Sequence, residues 1–402
     1  MKNKGVFIIL LCIIFIACDR KNTIKGSKVE SENSEIIKIK GSYQDGPVDI
    51  LPFLDSVKYV KLELTDKSII GYIQKVVVFK NRIYVLDTQT SSLFVFDING
   101  KYIFKIANLG QGPGEYTQLD FFDIDRKKEQ IVLTDLMGNW VMRFDLQGTF
   151  LQKMKIPLWV EGVVPNNDKG LVAYANFRDN KTTMNNEFNI IYMDSAMKVR
   201  KAYFPYNSSR IEELNIKFST PQSSVFYSFK DNFCFFSPYG NNIYEIDGEK
   251  LLRKYTFDFG DKSFDVNTSP SDDLEKVKQY IDDNNFYFIH GVQETNKLLM
   301  FSFSAPNSPQ LYQGYYSKGS KKLLCSPFYF VGKEGQFDPF PPIATYNSWI
   351  ISELSVDYLL SLRNDLSKQV FKNKFFQDKK TLVEQLTVDD NSILMFYKFT
   401  EF

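Results

Sequence analysis

Four aspartates and one glycine-rich loop are the residues of this sequence whose types and spacing most invite a chemical reading. Asp87 and Asp135 lie 48 residues apart, and so do Asp97 and Asp145. Carboxylates recurring at one interval could gather at one end of a channel, to hold a cation or move protons. Their local setting favours a backbone task instead. Asp97 and Asp145 stand just before hairpin turns, where aspartate accepts hydrogen bonds from its own following amides. Asp87 and Asp135 close strand-like runs in the same manner. A calcium loop would need oxygen ligands at alternating positions, and Lys101, Tyr102 and Ile103 interrupt that pattern.

The loop Leu109-Gly110-Gln111-Gly112-Pro113-Gly114-Glu115-Tyr116 carries three glycines. A phosphate-binding loop would continue into Lys-Ser or Lys-Thr and open a helix. This one leads into the strand-like residues 121–124. It reads as a tight crossover between repeats with Tyr116 packed against a neighbour. Gln111, Glu115 and Tyr116 are the residues in it that could touch a ligand. His290 is the single histidine, which excludes a multi-histidine site, and its place before Gly291 is that of a structural residue. There is no Gly-x-Ser-x-Gly elbow and no His-Glu-x-x-His signature. The expectation is therefore no catalytic residue, no metal site and no cofactor. Carboxylate-only chemistry stays open, because a ring of repeats hides which Asp and Glu converge. Trp140, Trp159 and Trp349 could be stacking platforms, and Phe204-Pro205-Tyr206 sets two aromatics about a rigid turn, although packing is the simpler use of both.

The elements that position these residues repeat. Residues 82–87 and 93–100 align without gaps with 130–135 and 141–148, each copy reading strand, polar turn, strand, tight Gly turn. Asn99-Gly100 is a strong hairpin signal because both residues tolerate positive φ. Similarity at such a period marks a propeller or a solenoid. Residues 189–194 resemble the third strand of a third repeat and 242–248 that of a fourth. A fifth falls at 286–289 and 298–303, and a sixth at 323–331, 348–352 and 392–400. The expected fold is all-β, a six-bladed β-propeller with small helical insertions. The alternating strand 57–64 should join C-terminal strands and close the ring; an open β-solenoid is the alternative. Helices are expected at 269–281, capped by Ser269, Pro270 and Asp272, and at 355–366. Residues 339–342 should form a rigid loop.

The N-terminus supplies an address. Lys2 and Lys4 precede an apolar run of 12 residues from Val6 to Ala17, short of the roughly 17 to 25 that a spanning helix needs. It reads as the apolar core of an export signal. Ala17-Cys18 resembles a bacterial lipoprotein processing site, at which Cys18 would be lipidated. Residues 1–17 are then signal peptide, 18–35 a solvated polar tether and 36–402 the propeller domain. After processing, 47 Lys and Arg face 48 Asp and Glu. A near-neutral chain with no basic block argues against nucleic acid as a partner. Cys234 and Cys325, both in apolar surroundings, could pair or remain buried thiols.

The chain resembles the six-bladed β-propeller lipoproteins of Bacteroidetes, in the style of NHL-repeat propellers. The likeness rests on Val60-Lys61-Leu62-Glu63, Ile83-Tyr84-Val85-Leu86-Asp87, Phe94-Val95-Phe96-Asp97 with Gly100, and residues 110–116. It implies the fold and an envelope location, with the lipid on Cys18 as membrane anchor, and transfers no catalytic residue. The expected function is a binding or scaffold module for a glycan, a peptide or an envelope protein. The rival is a carboxylate- or metal-dependent lyase, lactonase or glycan-active enzyme working from the central channel.

Overall fold

The computed structural model describes residues 24–30, 34–41, 48–218, 224–263, 265–267, 273–285, 287–308, 310–327, 341–369, 371, 374–400 and 402. Six small antiparallel sheets form the ring, each with its first strand innermost. The inner strands are Lys75–Phe79, Phe121–Asp125, Gly162–Pro165, Phe226–Phe229, Phe288–Glu294 and Pro342–Tyr346, for blades one to six. Short runs of β-branched and aromatic residues favour strands here, and burial of both sheet faces against neighbouring blades explains why whole runs are apolar. In Arg82–Asp87, every residue after Arg82 is buried.

Ring closure follows the expectation. Leu54–Lys61 pairs antiparallel with Ile393–Phe399 and becomes the outer strand of the sixth blade. Val60 from this strand packs in one cluster with Ile351, Leu394 and Phe396 of blade six and Ile83, Phe94 and Phe96 of blade one. Lys61 and Asp390 add an ion pair at 2.7 Å. Burial disfavours the Asp390 carboxylate, but Lys61 outweighs it and holds the pKa below the usual value.

The third strands expected at 189–194 and 242–248 are where the repeats place them, as Glu187–Met193 and Asn242–Asp247. One assignment is corrected. Leu323–Pro327 is the outer strand of blade five, paired with Leu311–Ser317, not part of blade six. Blade six begins only at Pro342–Tyr346. The helix expected at 269–281 is Leu274–Asp282, and its expected cap at Ser269, Pro270 and Asp272 lies outside the described residues. The helix expected at 355–366 is two short ones, Val356–Ser361 and Arg363–Ser367, the first capped by Ser355. Helices Ser208–Glu213 and Lys374–Gln385 were not foreseen.

Antiparallel blades sort their connections onto two faces. The tight turns after first and third strands form what we term the hairpin face. The connections after second and fourth strands, with the helices among them, form the crossover face.

The tether expectation also changes. Cys18 and the apolar run lie outside the described residues, but residues 24–30 do not hang free. Asn186 donates to the Ile24 carbonyl at 3.3 Å, Ser27 to Ala202 at 2.8 Å, and Arg253 to Glu30 at 2.9 Å. The strand Glu35–Lys38 then adds parallel to Tyr255–Asp258 at the edge of blade four. Polar sequence did not preclude docking, because the edge of a blade offers unpaired amides and carbonyls.

The closing strand yields the first prediction. Val60→Asp places an unpaired charge in the seam and should cost about 3 kcal/mol or more. Lys58→Ser on the exposed side should stay within about 0.5 kcal/mol. Urea unfolding of both variants decides; equal midpoints would refute the seam's role.

Candidate functional site

The channel opens at a mouth on each face. The hairpin-face mouth encloses about 410 Å³, lined among others by Phe79, Arg126, Phe229, Lys230, Glu294 and Tyr346. That volume suits a small ligand or the end of a longer one. Each residue comes from the end of an inner strand or the turn beyond it, so tight hairpins deliver them to one ring.

Arg126 crosses this mouth. It follows the inner strand of blade two, and its Nη2 donates to Ser228 Oγ of blade four at 2.9 Å. The guanidinium lies over the Phe79 ring at 5.3 Å. Its Nε is buried with no hydrogen-bond partner. The adjacent carboxylate, Asp125, cannot serve it. Arg143 holds that group at 2.9 Å and the Lys128 amide donates to it at 3.1 Å. Among the described residues no carboxylate lies within ion-pair distance of Arg126 or Lys230, while Lys80 is paired with Glu129.

The mouth's buried carboxylate is fully engaged. Glu294, with no exposed side-chain surface, accepts from Tyr227 Oη at 3.0 Å, Tyr255 Oη at 2.9 Å, Lys254 Nζ at 2.9 Å and Lys318 Nζ. The two ammonium groups also lie over the Phe229 ring, at 4.0 and 4.1 Å. Burial works against the charge on Lys254, yet Cys234 and Glu294 more than offset it and its pKa rises. For Lys318 burial wins over Glu294 and the pKa falls. Asp231, exposed at the rim, is the remaining carboxylate of the lining.

The crossover-face mouth is smaller, about 230 Å³, and holds Lys75, His290, Gln293 and Ser302. Lys75 pairs with Asp123 at 2.7 Å and stands over the Phe121 ring at 3.9 Å. Burial lowers its pKa, Asp123 opposes the shift, and Arg126 adds to it. His290 hydrogen-bonds Ser304 Oγ, and burial lowers its pKa too. Among the described residues no three His, Cys, Asp or Glu side chains are placed to hold a metal ion.

The residues singled out in the sequence fall elsewhere. Gln111, Glu115 and Tyr116 line neither mouth. Tyr116 is completely buried, and its hydroxyl donates to Ser91 O at 2.8 Å. Glu115 turns back to accept from the Gly112 amide at 2.8 Å. A Cβ on Gly110 would lie 2.1 Å from that carboxylate, so the glycine makes room for a self-closing loop. Only Gln111 is exposed. The periodic aspartates have the backbone roles expected of them. Asp87 accepts from the amides of Gln89 and Gly71, and Asp135 from those of Gly138 and Thr117. Each thereby ties its own turn to the incoming crossover. Cys234 and Cys325 are free and buried in one cluster, and burial pushes both thiols up to about 12. Trp140 lies beneath Lys153 and Lys155, and Trp349 beneath Lys398; Trp159 alone is well exposed. Phe204 is core, packed on Tyr244. Arg126, Phe229 and Glu294 had no sequence signal beyond their place at strand ends.

The sequence profile of a domain of unknown function, DUF4934, matches residues 34–398. No curated protein matches. A crystal structure of a Bacteroides fragilis protein described as exported superposes with a TM-score of 0.70 at 21% identity, covering 91% of this chain and 100% of the other. A DUF4221 family member from Bacteroides vulgatus gives 0.44 at 11% identity, covering 86% and 97%. The first likeness supports the six-bladed fold.

Two predictions follow from the buried groups. Glu294→Ala removes the carboxylate that Lys254 and Lys318 share, leaving Lys254 the longer pair with Glu245 at 3.4 Å and Lys318 the Thr295 carbonyl at 2.6 Å, and should cost about 3 kcal/mol in urea unfolding; a loss below about 1 kcal/mol would contradict the account. For His290 the folded pKa lies below the unfolded one. Above the unfolded value, about 6.5, both states are neutral. As pH falls below it the unfolded chain takes the proton more readily, and stability drops until pH passes the folded value. The difference in unfolding free energy between wild type and His290→Asn should therefore change from pH 7 to 5, against wild type; a constant difference would exclude the effect.

Proposed function

The chain belongs to the DUF4934 family, and from that premise we propose that it is an exported, lipid-anchored binding module of the cell envelope that captures anionic ligands at its hairpin-face mouth. The observation that carries the ligand chemistry is Arg126, a half-buried guanidinium aimed across the mouth with no carboxylate partner. A carboxylate or sulfate on a glycan or peptide would complete it with charge-assisted hydrogen bonds. Lys230 is a second cation in the same lining, and Tyr346 adds an aromatic ring beside it, while the Phe79 and Phe229 rings are already covered by cations. Glu294 does not oppose such a ligand, because four donors already satisfy it.

The envelope address comes from the lysines, the apolar run and Cys18. The Bacteroides fragilis neighbour, described as exported, is in keeping with it. His290 and Ser304 at the crossover-face mouth are the one imidazole–hydroxyl pair described there, and among the described residues no carboxylate is recorded orienting that histidine, so binding rather than turnover is the reading.

Calorimetry with oligogalacturonate, an acidic peptide and their neutral counterparts tests the site. The anionic probes should bind, and Arg126→Ala should weaken them about tenfold, roughly 1.4 kcal/mol. Raising the salt should weaken binding further. Equal binding of neutral probes, or insensitivity to Arg126, would overturn the assignment.

A further inference from the structure

Nine large apolar side chains are well exposed among the described residues, and six of them stand on the crossover face. These are Ile69, Tyr72, Leu109, Met137, Trp159 and Val388, from Tyr72 at 51% exposure to Val388 at 75%. They come from different connections. Ile69 and Tyr72 lie between blades six and one, Leu109 between one and two, Met137 within blade two, Trp159 between two and three, and Val388 within blade six. Hydrogen bonds hold these connections to one another. The Ile70 amide donates to Asn391 at 3.0 Å, Thr117 to Asp135 at 2.8 Å, Ile156 to Asn139 at 2.7 Å, and Trp159 to Asn180 at 2.8 Å. The other three exposed residues, Ile36, Ile103 and Leu151, belong to outermost strands at the perimeter.

The chain outside the structure points to what covers this face. Ile24 is held at the same face by Asn186, in the connection that also carries Asn180. It packs against the cluster containing Leu158 and Val160, the neighbours of Trp159. Cys18 is six residues before Ile24, and an extended chain spans at most about 3.6 Å per residue. A lipid on Cys18 must then enter the bilayer within about 22 Å of Ile24, which packs beside the neighbours of Trp159. Residues 24–30 and 34–38 are bound to blades three and four.

We propose that the crossover face docks on the bilayer that holds the Cys18 lipid, with Trp159, Tyr72, Met137 and their apolar neighbours in the headgroup zone and the Arg126 mouth turned away from it. Trp and Tyr suit that zone because each has an apolar body and a polar edge. This rests on the lipid anchor of the proposed function and adds an orientation to it.

The test uses the full lipidated protein in phosphatidylcholine–phosphatidylethanolamine vesicles containing brominated acyl chains. Single thiols introduced by Met137→Cys and, on the hairpin face, Lys127→Cys carry an environment-sensitive fluorophore; Cys234 and Cys325 are buried and Cys18 is acylated. Quenching at position 137 should exceed that at 127 at least threefold. Tyr72→Ser combined with Trp159→Ser should at least halve that ratio. Equal or reversed quenching overturns the docking, and a ratio unmoved by the double substitution overturns the role of the side chains. A label at 137 that is shielded from acrylamide in native envelopes but unquenched in vesicles overturns the bilayer in favour of a protein partner. The intact mass of the membrane-extracted protein separates the premises: an unacylated Cys18 overturns the anchor and the docking together, whereas an acylated one with equal quenching overturns the docking alone.

Discussion

A ring of blades has one seam, and everything that the channel positions depends on how that seam is held. Here the seam lies inside a blade, where Leu54–Lys61 supplies the outer strand and the C-terminal segment supplies the other three. Backbone pairing, the Val60 cluster and the Lys61–Asp390 ion pair act together. Closing residues that far apart in sequence costs chain entropy, and the closed ring leaves only short, protected edges. Without the seam the inner strands would have no common axis. Arg126 would then not reach Ser228, nor Lys75 meet Asp123.

Within the closed ring, charge is distributed unequally. Asp123, Asp125 and Glu294 are buried and paired, each by a cation or hydroxyl from another strand of the blade or from a neighbouring blade. Burying charges in this way is tolerable only when the partners are complete. Arg126 has no carboxylate partner among the described residues, and Arg143 holds Asp125, its neighbour in sequence. A mouth with one half-buried, unanswered guanidinium differs physically from a neutral channel, and the anion capture proposed above rests on that difference.

The two faces divide the labour. Tight hairpins on one side leave the mouth open, while long connections on the other carry helices, the docked N-terminal segment and the exposed apolar side chains. The docked segment turns a sequence that reads as a loose tether into contacts with blades three and four.

The fold was legible because propeller repeats are local patterns. Asp87 and Asp135, Asp97 and Asp145, and the Gly100 and Gly148 turns each record a backbone requirement within a few residues, and such requirements survive in a single chain read alone. The closing strand was legible too, from its alternation. Leu323–Pro327 was misplaced because a strand's blade is decided by its partner, Leu311–Ser317, and not by its own composition. The conspicuous loop at 110–116 misled for a related reason: Glu115 and Tyr116 are spent on the loop itself, which only their folded contacts reveal. Arg126, Glu294 and Ser228 come from three blades and share no motif, so their convergence exists only once the ring is closed. Sequence by itself determined the repeat and the strands, both encoded at short range. Tertiary structure decided which cation lacks a carboxylate partner and where the segment beginning at Ile24 is held, because both depend on distances between residues far apart in the chain.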